Sequence, residues 1–263
     1  MNTSLLPRDR ADYYRYRLGN FTGKRKAYFY DDYWIKQKNI HFISQPEIGL
    51  RLLEHFYTFI HFQSEEMDRY YKRFIRDYVH YNDLIFCKAA IIVNKLLRES
   101  ANYRNDSKGV YSSFHVRRGD LQYKEVKIPA DQILVNVGKF IPPNELVYIA
   151  TDEKNKSFFN PMRKRFPTIR FLDDYMDVAD LRKINPNYLG MIDALVCAPA
   201  NIFVGTWFST FTGYITRLRG YLGHHDYTNF YGDKKHRDRF QHDELPMFPW
   251  YMREWNVSWT NID

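Results

Sequence analysis

From residue 109 onward the chain alternates between two rhythms, and this alternation restricts its possible folds more than any single motif. "GVYSSFHV" (109–116), "ELVYIAT" (145–151), "TIRFLD" (168–173) and "NIFVGT" (201–206) read as strands. Helical stretches separate them. "ADQILVNVGKF" (130–140) starts just after Pro129, "KSFFNPMRKRF" (156–166) is part-helical and interrupted by Pro161, and "YLGMIDALVCAPA" (188–200) is almost wholly apolar. "STFTGYITRLRGYLG" (209–223) closes the series with Phe211, Tyr214, Ile215, Leu218 and Leu222 on one face. Strands that are nearly continuously apolar and separated by helices predict a parallel sheet with helices on both faces. The expected core is therefore a Rossmann-like α/β domain over residues 101–223.

Residues 1–100 read as a partial N-terminal region, mostly helical. "NIHFIS" (39–44) is one short strand. Leu52, Leu53, Phe56, Tyr57 and Ile60 recur at helical spacing, as do Met67, Tyr70, Tyr71, Phe74, Ile75 and Tyr78. A further helix is expected at 83–98, with Asp83 as its cap. Residues 224–263 are polar and aromatic and are expected to pack back on the fold as a tail.

The chain has 44% hydrophobic and 27% charged residues, with 22 Tyr and 20 Phe, which excludes a disordered polymer. No apolar run approaches the roughly 18 residues of a membrane span, and the N-terminus has no apolar stretch of signal-peptide type. A net charge of +8 favours an anionic partner. The basic residues are scattered, and no nucleic-acid-binding signature occurs. Cys87 and Cys197 lack metal spacing and read as two buried free thiols, with a disulfide between them as the alternative. Sequons at Asn2, Asn20, Asn105, Asn155 and Asn256 hint at a lumenal history.

Three places carry chemistry. In open α/β sheets ligands sit at the carboxyl ends of strands, and "FHVRRGD" (114–120) lies at one such end. His115 and Arg117 share a face there, and Gly119 permits a turn. Arg117 offers planar donors suited to a phosphate, or it pairs with Asp120 or a helix terminus. "GTWFSTF" (205–211) leads into a helix whose N-terminus, with the hydroxyls of Thr206, Ser209 and Thr210, suits an oxyanion; Ser209 alone is also a plain N-cap. Asp193 sits in an apolar helix. It either pairs with a core arginine or accepts from the N1–H and N2–H₂ edge of guanine. "TDE" (151–153) reads as loop charges or as a carboxylate cluster for a metal. "HVRRGD" lacks the flexible flanks of an adhesion loop.

Taken in order, "HVRRGD", "YIATDE", "FLDD" and "MIDALVCAPANIFVGTWFSTFTGYITRLRG" resemble the C-terminal half of the GDP-fucose-dependent protein O-fucosyltransferases and their α-1,6-fucosyltransferase relatives. The resemblance implies a GT-B fold with a truncated N-terminal domain, in which the family's Gly-rich strand–loop–helix is missing. It implies inverting transfer of fucose from GDP-fucose to a protein or glycan hydroxyl, with no metal. By position, Arg117 matches the arginine on the diphosphate, with Arg118 beside it. His115 faces the nucleotide, Asp193 reads guanine, and Thr206, Ser209, Thr210 and Phe211 form the β-phosphate loop. Glu125 stands ten residues after His115, where some relatives carry a glutamate, and is the candidate general base. An inactive GDP-sugar-binding module and a GDP-mannose-type transferase are the alternatives. Golgi or ER residence follows only by kinship.

Overall fold

The computed structural model describes residues 36–38, 65–104, 108–119, 124–207, 209–238, 259–260 and 262–263. Contacts divide the chain into Met1–Asp68 with Leu245–Tyr251, and Arg69–Glu244 with Met252–Asp263. Nearly all described residues belong to the second unit. The strand expected at 39–44, the helix through Leu52–Ile60 and residues 239–258 of the tail lie outside the described residues.

Two helices lead into the sheet, α1 (Glu65–Tyr78) and α2 (Asp83–Arg104). Asn82, rather than Asp83, caps α2, its side-chain oxygen accepting from Ile85 N–H at 3.2 Å. Asp83 becomes the first helical residue, where its charge faces the positive end of the helix dipole. Helix α2 buries Ile85, Ala89, Ile92 and Leu96 along one stripe and leaves Phe86 and Ile91 exposed. Cys87 lies on the exposed side, so only Cys197 is buried; both thiols are free. No helix among the described residues is long and apolar enough to cross a membrane.

Five parallel strands form one sheet: β1 (Tyr111–Val116), β2 (Leu146–Thr151), β3 (Ile169–Arg170), β4 (Phe203–Gly205) and β5 (Asn229–Tyr231). Helix α2 covers it together with α3 (Ala130–Val137), α4 (Leu189–Cys197) and α5 (Thr210–Tyr221). The Rossmann-like α/β expectation is met. Strand order is β3-β2-β1-β4-β5, so the chain reverses direction across the sheet between β1 and β4. That reversal opens a crevice at the carboxyl ends of these two strands.

Each face of the sheet carries its own core. Tyr111, Tyr148, Ala150 and Phe203 pack with residues of α2, α4 and α5 on one side. Phe114, Val116, Val147, Ile149, Val204 and Phe230 pack with Ile133, Phe159, Met162 and Phe166 on the other. Two hydroxyls of β1 are used against α4: Tyr111 donates to Val196 O at 2.6 Å and Ser113 to Cys197 O at 3.0 Å. These are the carbonyls a helix end leaves without intrahelical partners.

Several elements depart from expectation, each for a local reason. Strand β3 keeps only two residues because Phe171 N–H donates to the Asp174 carboxylate at 2.8 Å and starts a 3₁₀ turn, Leu172–Tyr175. Residues Lys156–Lys164 form a 3₁₀ helix that runs through Pro161, opened by Asn155 accepting from Ser157 N–H. Leu222 is exposed, since α5 stops at Tyr221 and the chain turns at Gly223 with φ 75°. Strand β5 falls in the expected tail. It is anchored by the buried Arg219 guanidinium, which donates to Asn229 Oδ1 at 2.6 Å and Thr228 Oγ1 at 2.7 Å. The last residues return to α1 and α5. Trp259 packs edge-on against Tyr221 at 5.6 Å, and Arg76 donates to the Asp263 carboxylate at 2.8 and 3.0 Å.

Gly205, the last residue of β4, is fixed by packing. A Cβ there would lie 2.2 Å from Thr212 Cγ2 of α5. Gly205→Ala is therefore expected to cost about 1–3 kcal/mol through overpacking. Urea unfolding checks this, and an unchanged midpoint would show that α5 can step back freely.

Candidate functional site

At the β1–β4 crevice the two loops that are far apart in sequence are hydrogen-bonded together. Arg117 N–H donates to Thr206 Oγ1 at 3.1 Å, and that hydroxyl donates to His115 O at 2.8 Å. Thr206 N–H in turn donates to Thr212 Oγ1 at 3.0 Å, and Thr212 Oγ1 lies 2.7 Å from His115 Nδ1. The Thr212 hydroxyl thus joins the Thr206 backbone to the His115 ring. Burial pushes the His115 pKa down to about 3, so the ring is neutral. It packs on Phe211 with ring centroids 4.6 Å apart. His115 and Thr206 thus spend their polar groups on holding the loops.

The two adjacent arginines have different surroundings. Arg117 has a side chain 41% exposed, with Nε 4.0 Å from Asp152 Oδ2. Arg118 turns to Glu153, Nε to Oε2 at 3.1 Å, and lies over the Phe158 ring at 4.1 Å. Asp120, the partner considered for Arg117, lies outside the described residues. Asp152 also accepts from Arg118 N–H at 2.6 Å and Gly119 N–H at 3.0 Å. This explains Gly119 better than a turn does. A Cβ there would sit 2.6 Å from Asp152 Oδ2, and its φ is not in the left-handed region. The "TDE" carboxylates therefore fasten the loop. Among the described residues no group of three or more His, Cys, Asp or Glu could hold a metal.

Helix α5 begins beside this loop. Ser209 occupies the N-cap position with φ −101° and ψ 120°, yet its side chain makes no capping hydrogen bond. It is 4% exposed, and its hydroxyl has no partner among the described residues. Thr210 follows as the first helical residue and is exposed.

Asp193 stands half-buried in α4 and accepts from the Tyr148 hydroxyl at 2.5 Å. No arginine pairs with it among the described residues, so the core salt bridge considered from sequence does not form. Burial pushes its pKa up to about 7, against the opposing effect of the Tyr148 hydrogen bond. Gly190, one turn earlier, faces the Phe211 ring. Glu125 is exposed in a 3₁₀ turn, Lys124–Val126, and its neighbour Val126 is the one that faces inward.

A small pocket, with a free volume of about 20 Å³, lies at the carboxyl ends of β1, β4 and β5. Arg117, Thr206, Trp207 and Asp233 line it together with Val126, Ile128 and Ile133. Asp233 and its bonded neighbour His236 were not apparent as site residues from sequence. Their only signal there is an Asp and a His three residues apart in a charged run, which many surface turns share.

The family model described as GDP-fucose protein O-fucosyltransferase matches residues 25–222, taking in strands β1 to β4, the helices and the region before them, and stops short of β5. A comparison with curated proteins finds no match. With most of its length matched, the chain belongs to the GDP-fucose protein O-fucosyltransferase family.

Proposed function

We propose that the protein transfers fucose from GDP-fucose to a protein or glycan hydroxyl, with inversion at C1 and without a divalent metal. The observation that carries the reading is Ser209. A hydroxyl at the N-terminus of a 12-residue helix, buried and not used for capping, is positioned for an anion rather than for the helix itself. Arg117 stands at the end of the neighbouring strand, tied through its backbone to the same loop. Between them they supply positive potential at the point where a diphosphate leaving group develops charge. When the C1–O bond breaks, its electron pair leaves with the β-phosphate oxygen. The acceptor hydroxyl then bonds C1 from the opposite face and loses its proton. Glu125 is the proposed base for that proton, reached from solvent.

Asp193 reads the base in this scheme. An ionised carboxylate accepts both the N1–H and N2–H₂ of guanine, and neither ADP nor UDP offers that edge. Calorimetric titration of GDP, ADP and UDP without added metal tests it. GDP is expected to bind selectively, and Asp193→Ala to weaken GDP about 100-fold, as removal of a buried charged hydrogen-bonding partner does. The affinity also carries a pH signature. With its pKa raised to about 7, Asp193 is protonated below that pH and cannot accept both donors. GDP affinity should fall as pH drops below 7, approaching tenfold per unit, and Asp193→Asn should flatten the profile. The same shift makes the group's contribution to folding decline as pH rises from the ordinary carboxylate range to about 7, because only the folded state holds the proton there. GDP binding no better than ADP would sink the donor-site reading. Release of fucosylated product from GDP-fucose then separates a transferase from a binding module.

A further inference from the structure

We infer that Asn155 is a site of N-linked glycosylation, which places the loop after β2 in the secretory lumen. The assignment stands apart from the donor-site reading and does not depend on it.

The sequence carries more acceptor tripeptides than chance supplies. Ser and Thr together make up 21 of its 263 residues, so its 17 asparagines would begin Asn-X-Ser/Thr about once or twice, and five do. Of these five, Asn155 is the one that lies among the described residues. Neither Lys156, in the middle of its tripeptide, nor Phe158, which follows it, is a proline that would block transfer.

The fold leaves the right atom open. Asn155 and Ser157 are both exposed. Lys156 between them turns back on the protein, its Nζ donating to Glu153 O at 2.8 Å and lying 3.5 Å from Asp173 Oδ2. Asn155 Oδ1 accepts twice from Ser157, from its N–H at 3.1 Å and from its hydroxyl at 2.7 Å. Asn155 Nδ2, in contrast, makes no hydrogen bond among the described residues. Asparagines outside such tripeptides use that nitrogen inside the fold: Asn136 Nδ2 donates to Gly232 O at 2.8 Å and Asn229 Nδ2 to His225 O at 3.1 Å.

This division of labour matches the chemistry. The co-reactant is an oligosaccharide carried on a lipid pyrophosphate. Nδ2 bonds to C1 of its first sugar, the C1–O bond breaks, and the electron pair leaves on the pyrophosphate. One amide proton passes to a base of the transferring enzyme. Oδ1 keeps its lone pairs throughout, so both bonds from Ser157 hold the turn with or without the glycan. The attachment point is also fixed from below. Asn155 N–H donates to Glu153 Oε1 at 2.9 Å, and Glu153 Oε2 receives Arg118 Nε at 3.1 Å. A bulky, solvated group on a surface loop is what such a position accommodates.

Peptide mapping of the protein isolated from its own cells tests this. Enzymatic release of N-glycans in heavy-oxygen water turns each occupied asparagine into a labelled aspartate. The chymotryptic peptide 149–158 contains Asn155 and no other asparagine. Label is expected there in the wild type. Ser157→Ala, expressed in the same cells, keeps Asn155 and the N–H bond to Oδ1 but removes the hydroxyl that transfer requires. It should abolish the label in 149–158 while leaving other labelled sites unchanged, and Ser157→Thr should retain it. An unlabelled 149–158 peptide beside another labelled sequon would overturn the Asn155 assignment alone. Label that survives Ser157→Ala would overturn it too, since it would come from spontaneous deamidation. Absence of label from every sequon would overturn the lumenal placement with it.

Discussion

Replacing Arg219 with leucine is expected to lower stability by about 3–5 kcal/mol, a large part of the 5–15 kcal/mol that typically holds a domain together. The guanidinium is completely buried and has no carboxylate partner among the described residues. Its donors go to neutral oxygens instead: Ala198 O at 2.9 Å, Ala200 O at 2.5 Å, Asn229 Oδ1 and Thr228 Oγ1. The two carbonyls follow the end of α4, so the cation also sits at the negative pole of that helix. Burial pulls its pKa down to about 9, which still leaves it charged at neutral pH. Leucine would fill part of the volume and take the donor from three buried acceptors, each costing about 1–3 kcal/mol where water cannot enter, and from the half-buried Thr228 Oγ1. Lysine should recover only a fraction, since a single ammonium cannot reach all the acceptors of the two segments, 198–200 and 228–229. Equilibrium unfolding in urea measures this; a loss under about 1 kcal/mol would mean water replaces the guanidinium.

Arg117→Ala carries the largest expected effect on activity. If its guanidinium meets the leaving diphosphate, removal should reduce turnover about 10²–10³-fold, as loss of one preorganised donor to a developing anion does. KM for GDP-fucose should change much less. The adjacent Arg118 is the control. Its donors are directed at Glu153 and its face covers Phe158, so Arg118→Ala should loosen the loop and shift the melting temperature while leaving turnover nearer to wild type. Equal kinetic losses for the two arginines would contradict the distinct roles their surroundings imply.

Periodicity revealed the parallel sheet because β2 and β4 are covered on both faces and are almost continuously apolar, whereas β1 is buried throughout yet half polar. It overextended β3, where a single side chain, Asp174, diverts the backbone into a 3₁₀ turn. It overlooked β5, a three-residue strand whose support comes from an arginine on the preceding helix. Arg219 itself looks like any surface arginine in "RLRG", because nothing in a helical pattern tells a buried cation from a solvated one. At the site, the order of motifs brought out His115, Arg117 and the "GTWFSTF" loop, which the structure ties together through the hydroxyls of Thr206 and Thr212. Motifs could not separate Arg117 from Arg118, since the difference lies in Glu153 and Phe158, contributed by other segments. Asp233 and His236 were hidden for the same reason: their meaning depends on Trp207, which arrives from β4.

The buried guanidinium has an influence beyond the residues it touches. Strand β5 is short and lies at the sheet's edge, so few backbone bonds fix which of its residues faces which of β4's. Arg219 grips Thr228 and Asn229 just where the strand begins and so sets that alignment. A slip of one residue would exchange the faces of Asn229, Phe230 and Tyr231 and draw Asp233 away from the pocket. The chemistry at one end of β5 thus depends on a side chain at the other. Sequence changes around residue 219 should therefore be felt at the far end of β5 as well as in stability.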